Sequence, residues 1–212
     1  MPHLLDLFFP KTSLTGEEGA FVTAREERIL HSCPIRMDSL ELRKVGIKYV
    51  DRIVAASSYE SSPLLRLAIR RFKYGKVFHL RTALGGLLVS ASSLLSQYPD
   101  VVLCPVPLHW TRRFFRGFNQ SELLAEELKN ARGWNHEHLL RRIRPTGHQA
   151  WRRRRERIKA MNNAFVVTSI PIPLHIILID DIATTGMTLD ACAGALKQAG
   201  AQRVEALVIA KG

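Results

Sequence analysis

Short apolar runs alternate with longer amphipathic segments over most of this sequence. The runs of strand length cover residues 53–59, 101–104, 164–168, 176–179 and 204–210. The run at 176–179 is entirely aliphatic, as expected for a central parallel strand that is buried on both faces. Strands that alternate with helices at this spacing predict an α/β fold, with a mostly parallel central sheet flanked by helices.

Four helices are predicted, and two of them begin at residues that can cap a free amide. They cover residues 62–72, 79–95, 119–128 and 188–199. Ser62 is followed by Pro63, which suits the first helical turn, and Asn119 with Glu122 forms a capping-box pattern. Gly200 is placed to end the last helix.

Residues 1–50 differ from the rest because they hold no clear alternation of period two. We expect them to form a small appendage, loosely structured or helical, and residues 51–212 to form the main domain. No basic segment precedes the first apolar residues, and the apolar stretch 83–95 is shorter than the ~20 residues of a membrane helix. These features predict a cytoplasmic protein without membrane insertion.

Composition adds a positive charge that is unevenly spread. The 212 residues carry a net charge of +12, and 46% of them are apolar, which excludes intrinsic disorder. Residues 111–160 contain 14 Lys and Arg against 5 Asp and Glu. This segment is either a solvated surface or a binding surface for a polyanion such as a polyphosphate or a nucleic acid strand. The candidate nucleic-acid contacts are Arg152, Arg153, Arg154, Arg155 and Arg157.

Candidate chemistry is concentrated where the predicted strand 176–179 meets the helix that follows. Asp180 and Asp181 come directly after the strand. In open α/β sheets, ligands bind beyond the carboxyl ends of strands, where a helix N-terminus offers unpaired amides. Hydroxyl and amide donors for a phosphate, beside carboxylate acceptors for sugar hydroxyls, describe a ribose 5-phosphate site. The alternative is a helix cap with a threonine turn. The loop consists of Ala183, Thr184, Thr185, Gly186, Met187 and Thr188.

The stretch from Ile176 to Thr188 resembles the phosphoribosyl diphosphate (PRPP) motif of type I phosphoribosyltransferases. The resemblance implies that Asp180 and Asp181 hold the 2′- and 3′-hydroxyls of the ribose, while loop 183–188 surrounds the 5′-phosphate. It also implies a type I phosphoribosyltransferase-like fold. Mg²⁺ is expected with PRPP, since polyphosphates are normally bound as magnesium complexes.

Other segments narrow the family. The sequence CPVPLHWTRRFFRGFNQ at residues 104–120 and Phe72-Lys73-Tyr74 upstream are similar to segments of the ComF family, as are LLRR at 139–142 and Ala164-Phe165. The similarity covers about residues 53–212. This family includes proteins linked to the uptake of single-stranded DNA in natural transformation.

A transferase acting on PRPP must stabilise the pyrophosphate that leaves as an oxocarbenium-like sugar forms. The proline-rich loop after residue 104 can offer backbone amides, and nearby basic side chains can offer charge. The candidate pyrophosphate contacts are Lys73, Val106, Leu108, His109, Arg112 and Arg113. As alternatives, the two arginines are solvated residues at a helix start and Lys73 complements a helix dipole. No catalytic acid or base is assigned.

The N-terminal region departs from the family pattern. Members of the ComF family usually begin with a cysteine-rich zinc ribbon, whereas this region keeps only Cys33, so we expect no zinc. Ala160 also occupies the position in the connecting loop where members of the family commonly have an asparagine.

Two functions remain open. The first is pentosyl transfer from PRPP to an unidentified acceptor. The second is a non-catalytic protein of DNA uptake that associates with single-stranded DNA and with other uptake proteins, and uses the pocket to sense PRPP or a nucleotide. Phe114, Phe115 and Phe118, interleaved with arginines, either stack on bases of such a strand or pack under a loop.

Overall fold

Pairing of the apolar runs builds the centre of the fold. The computed structural model describes residues 12–30, 33–60, 62–75, 77–108, 114–143 and 164–212. The described strands are β1 (Ile35–Asp38), β2 (Arg52–Ser58), β3 (Val101–Pro105), β4 (Asn135–His136), β5 (Leu140–Arg142), β6 (Phe165–Val167), β7 (His175–Ala183) and β8 (Arg203–Lys211). The helices that the argument uses are α1 (Ala24–Leu30), α2 (Ser39–Lys44), α3 (Pro63–Tyr74), α4 (Leu80–Ala91), α5 (Gln120–Arg132) and α6 (Met187–Gln198).

Within the described residues, the main sheet has the order β1-β2-β8-β7-β3-β4. Only its first pair, β1 with β2, is antiparallel, and every other neighbouring pair is parallel. Helices cover both faces of this sheet. The predicted α/β fold with a mostly parallel central sheet is therefore confirmed, and the architecture is consistent with a type I phosphoribosyltransferase-like fold.

Alternate residues of β7 pack against opposite layers of helices. Ile176 and Leu178 belong to a buried cluster with α6, whereas Ile177 and Ile179 belong to a second cluster with α3, α4 and α5. A strand that is apolar on both faces fits only the centre of such a sandwich. No helix in the described ranges is long and apolar enough to span a membrane.

The helix starts follow the capping signals of the sequence. The Ser62 hydroxyl accepts a hydrogen bond from the Leu65 amide at 3.1 Å, with Pro63 in the first turn of α3. The Asn119 side chain accepts from the Ser121 amide at 3.2 Å at the start of α5. These caps were predicted, and the helices they begin end two to four residues beyond the expected limits.

Three elements differ from the expectation. β1, within the segment expected to lack strands, pairs with β2 at the edge of the main sheet. β6 pairs antiparallel with β5 in a separate two-stranded sheet rather than in the central one. β7 continues to Ala183, so Asp180 and Asp181 belong to the strand itself. The division of the chain at residue 50 stays a prediction.

Candidate functional site

The carboxyl ends of β2, β3, β7 and β8 meet at one edge of the sheet. β7 and β8 pair in parallel up to Ala183 and Lys211, and Lys211 also pairs with Ser58 of β2. Residues 184–186 then lead from β7 into α6. The PRPP-like motif therefore lies at the edge where open α/β sheets bind ligands.

A lysine from a distant helix contacts the acidic pair. The Lys73 ammonium nitrogen, near the end of α3, lies 2.9 Å from an Asp181 carboxylate oxygen. Both side chains are largely buried, at 16% and 10% exposed. The contact joins a predicted pyrophosphate residue to a predicted ribose residue, so the two sets of candidates share one site.

Asp180 is held by the start of α5. Its Oδ1 accepts a hydrogen bond from the Ser121 hydroxyl at 3.0 Å and one from the Asp181 amide at 2.8 Å. Burial, followed by the negative charge of Asp181, raises the pKa of Asp180 to about 7. Those hydrogen bonds and the Lys73 charge act in the opposite direction without cancelling the rise. Asp180 therefore changes protonation near neutral pH.

The loop after β3 is fixed to the same elements. The Val106 amide donates to the Ile179 carbonyl at 2.9 Å, and the Val106 carbonyl accepts from the Asn119 side-chain amide at 3.1 Å. The sequence predicts the Val106 amide as a pyrophosphate contact, but in the structure that amide extends the pairing of β3 with β7. The pyrophosphate roles of Lys73, Val106 and Leu108 stay predictions.

The turn into α6 is open on one side and tightly packed on the other. Thr184 and Thr185 are exposed, whereas Gly186 is buried at the helix start with a φ of +73°. A Cβ atom at Gly186 would lie 2.9 Å from the Cδ1 atom of Ile47. The glycine therefore lets the turn pass close to the residues before β2, while both threonine side chains reach solvent.

The first turn of α6 is anchored by an acidic side chain. Asp190 accepts backbone hydrogen bonds from Lys48 at 2.9 Å, Tyr49 at 2.5 Å and Val50 at 3.2 Å. Three consecutive amides converging on one carboxylate fix the position of α6 relative to β2. The helix start that follows the candidate phosphate loop is thereby held in place.

Several proposed contacts lie outside the described residues. They are His109, Arg112, Arg113, Arg152, Arg153, Arg154, Arg155 and Arg157. Of the neighbouring aromatic residues, Phe118 packs on Phe72 and Phe78, while Phe114 and Phe115 are each 82% exposed.

Sequence reasoning missed three residues of the site: Ser121, Asp190 and Lys211. Ser121 was visible only as part of a helix start, and Asp190 as an acidic residue in a first turn. Lys211 donates from its ammonium group to the Thr184 carbonyl at 2.8 Å. Nothing local in the sequence links Lys211 to Thr184, because their contact depends on the parallel register of β7 and β8.

Comparison with known proteins decides the family. The chain is 34% identical over 163 residues to the DNA utilization protein YhgH of Salmonella typhimurium, covering 73% of this chain and 69% of that protein. The chain belongs to the ComF family. It is also 28% identical to Competence protein F of Haemophilus influenzae, over 69% of this chain and 68% of the relative. Competence protein ComFC of Streptococcus pneumoniae is 34% identical over 64% of this chain and 58% of its own length. No protein-family model matches the chain.

Proposed function

We propose that this ComF protein binds PRPP at the carboxyl edge of its sheet. The observation that carries the proposal is the juxtaposition of the buried Asp181, the half-buried Asp180, Lys73 and the open turn into α6. In this arrangement, the carboxylates accept the ribose hydroxyls and the amides and hydroxyls of residues 183–188 donate to the 5′-phosphate. Lys73 is the cation that reaches the pyrophosphate.

Binding of PRPP replaces one partner of Asp181. The carboxylate is engaged by Lys73 at 2.9 Å, so a ribose hydroxyl competes with the ammonium group for it. The pyrophosphate offers that ammonium group a new anionic partner. An exchange of this kind keeps the buried charges paired in both states, which limits the cost of desolvation.

The reaction we propose is pentosyl transfer. The bond from the ribose C1 to the pyrophosphate oxygen breaks, the electron pair leaves with pyrophosphate, and an acceptor nitrogen or oxygen bonds to C1. The acceptor's proton passes to water. The Lys73 cation stabilises the charge that develops on the leaving group.

The acidic pair suits Mg²⁺ carried by PRPP. Magnesium keeps several waters and touches few protein oxygens, and a neighbouring cation favours ionised carboxylates. Burial, followed by the negative charge of Asp181, raises the pKa of Asp180, and a cation beside the pair would act against that rise. Asp180 and Asp181 would hold the waters of the metal, whose chemistry is to neutralise the pyrophosphate. Among the described residues, no group of three or more His, Cys, Asp or Glu forms a protein-only metal site.

The test is a titration of the protein with PRPP and Mg²⁺, comparing wild type with Asp181→Asn. Loss of a charge-assisted contact should weaken binding about tenfold or more. Asp100→Asn makes the same change at an exposed aspartate and should bind like wild type. Unchanged affinity in Asp181→Asn would remove the ribose site. Release of pyrophosphate with a panel of bases and amines then tests transfer, and silence across the panel with binding intact favours a sensor.

A second candidate function is association with single-stranded DNA in the cytoplasm. It is supported by the names of the relatives, a DNA utilization protein and competence proteins. The exposed rings of Phe114 and Phe115 also favour it, as does the Arg116 guanidinium, which lies 4.9 Å from the centre of the Tyr74 ring. Exposed rings beside a cation are typical of surfaces that stack unpaired bases.

This candidate is tested by binding of a labelled oligonucleotide at two salt concentrations. Replacing Phe114 and Phe115 by alanine should lower the affinity while keeping the salt slope, because stacking rather than phosphate contact is lost. Leu40→Ala removes another exposed apolar side chain and serves as the control. Equal affinity of the double variant and wild type would reject these rings as a DNA surface.

A further inference from the structure

Lys211 lies at the carboxyl end of β8, next to the turn that follows β7. It pairs with Ala183 of β7 and with Ser58 of β2. Its ammonium group donates to the Thr184 carbonyl at 2.8 Å and also to the Gly212 carbonyl. The Gly212 amide in turn donates to the Ala183 carbonyl at 3.1 Å. The end of β8 therefore holds the backbone on both sides of the Ala183–Thr184 bond.

Holding the Thr184 carbonyl also fixes the amide that follows it. In a trans peptide the carbonyl and the next N–H point in opposite directions. Since Lys211 turns the Thr184 carbonyl toward β8, the Thr185 N–H points away from β8. An amide directed into the turn, just before a helix N-terminus, is the type of donor that binds phosphate.

Lys211 also adds a positive charge to a motif that otherwise carries two carboxylates. The Lys211 side chain is only partly buried, and its ammonium group donates to the Thr184 carbonyl and to a Gly212 oxygen. The part of the ammonium group that stays exposed can also face an incoming anion. Residues 161–212 have a net charge of −1, so this cation matters to any phosphate that binds there.

We propose that Lys211 is the positioning residue of the 5′-phosphate site: it orients the Thr184–Thr185 peptide and places a positive charge beside the turn. This inference rests on the proposed function, because it assumes that the turn receives the phosphate of a phosphoribosyl ligand. Lys211 lies on β8, outside the motif 176–188, so the inference adds a residue that the motif does not contain.

The experiment measures ribose 5-phosphate and pyrophosphate separately, each with Mg²⁺, by calorimetric titration. Lys211→Met should weaken the binding of ribose 5-phosphate about tenfold or more and leave the affinity for pyrophosphate unchanged. The reason is that one charge-assisted contact is lost at one end of the site. Lys211→Arg keeps the charge and should recover most of the affinity. Lys44→Met, at an exposed lysine of α2, makes the same change in net charge and should bind both probes like wild type.

A second measurement needs no ligand. Amide hydrogen exchange at Gly212, whose N–H donates to the Ala183 carbonyl, should become faster in Lys211→Met while the rest of the sheet stays protected, because the end of β8 loses its hold on the turn. Equal affinity of Lys211→Met and wild type for ribose 5-phosphate would overturn the inference and leave the proposed function standing. Absence of ribose 5-phosphate binding by the wild type would overturn both.

Discussion

At Asp180, burial and the adjacent Asp181 carboxylate raise the pKa from 3.8 to about 7. If the ionised carboxylate accepts a ribose hydroxyl, affinity for PRPP should increase from pH 6 to pH 8. The dependence of one proton is at most about 1.4 kcal/mol per pH unit. Titrations with PRPP and Mg²⁺ at pH 6, 7 and 8 measure it.

The control for this pH dependence is Asp180→Asn, because the 5′-phosphate itself titrates with a second pKa of about 6. Only the part of the pH dependence of PRPP affinity that is lost in the variant belongs to Asp180.

A measurement of stability without ligand also reports the ionisation of Asp180. The folded pKa lies above the unfolded value, so ionisation lowers stability as the pH rises from 3.8 to about 7. Asp180→Asn should therefore melt close to wild type at pH 3, and its advantage over wild type should grow as the pH rises to 8. Identical pH slopes in both proteins would contradict the assignment.

At the scale of the element, the start of α6 depends on a glycine. Gly186 has a φ of +73°, and a Cβ atom there would lie 2.9 Å from Ile47. Gly186→Ala should destabilise the protein by about 1–2 kcal/mol from the left-handed conformation alone, with a further cost for moving Ile47. The substitution should also weaken the binding of PRPP. Denaturant unfolding and ligand titration measure the two effects.

Gly133 provides a matched control for Gly186→Ala. Its φ is +71°, but a Cβ atom would meet nothing within 4 Å, and it ends α5 away from the turn. Gly133→Ala should show the conformational cost alone and bind PRPP like wild type. The difference between the two variants then reports the contact with Ile47. If both lose equal stability and equal affinity, the packing at Gly186 has no special role.

Elements with a strong local signal were predictable. The capped helices and the aliphatic β7 follow from caps and hydrophobic periodicity alone. β1 was missed because the sequence Ile-Arg-Met-Asp is only partly buried at the sheet edge and carries little alternation. β6 was found as a strand but not in its sheet, because its partner β5 is short and the pairing is antiparallel. Local pattern thus identifies an element more readily than its partner.

At the scale of the whole molecule, the site also has a part that the local sequence predicts and a part that it does not. Asp180, Asp181 and the turn lie within one continuous motif and could be found from the sequence. Three contacts of the site depend on the topology instead: Lys73 with Asp181, Lys48–Val50 with Asp190, and Lys211 with Thr184. These contacts join segments through the parallel order of β2, β8 and β7, which no local pattern specifies.

The N-terminal segment is tied to the same structure by a buried glutamate. Glu26 is 2% exposed and accepts hydrogen bonds from the Thr15 amide at 2.6 Å, the Thr15 hydroxyl at 2.8 Å and the Thr23 amide at 2.7 Å. Its partner segment reaches α3 through a hydrogen bond of 2.8 Å from the Arg71 guanidinium to the Ser13 carbonyl. Leu14 and Leu30 join the core on that face of the sheet. One carboxylate thus organises the described part of the segment that the sequence predicts to be a small appendage.

Glu26→Gln should destabilise the protein by about 1–3 kcal/mol at pH 7, because buried donors lose a charged acceptor. Burial acts to raise the pKa of Glu26, but the hydrogen bonds from Thr23 and Thr15 outweigh it and hold that pKa below 4.5. The stabilisation is therefore complete above pH 4.5 and is lost as the pH falls through the lowered folded value. Thermal unfolding followed by circular dichroism should show a gap between variant and wild type that is widest at pH 7 and shrinks in acid. Glu27→Gln, at the exposed neighbouring position, should leave the melting temperature unchanged. A gap that is equally wide at every pH would mean that shape rather than charge at Glu26 holds the segment.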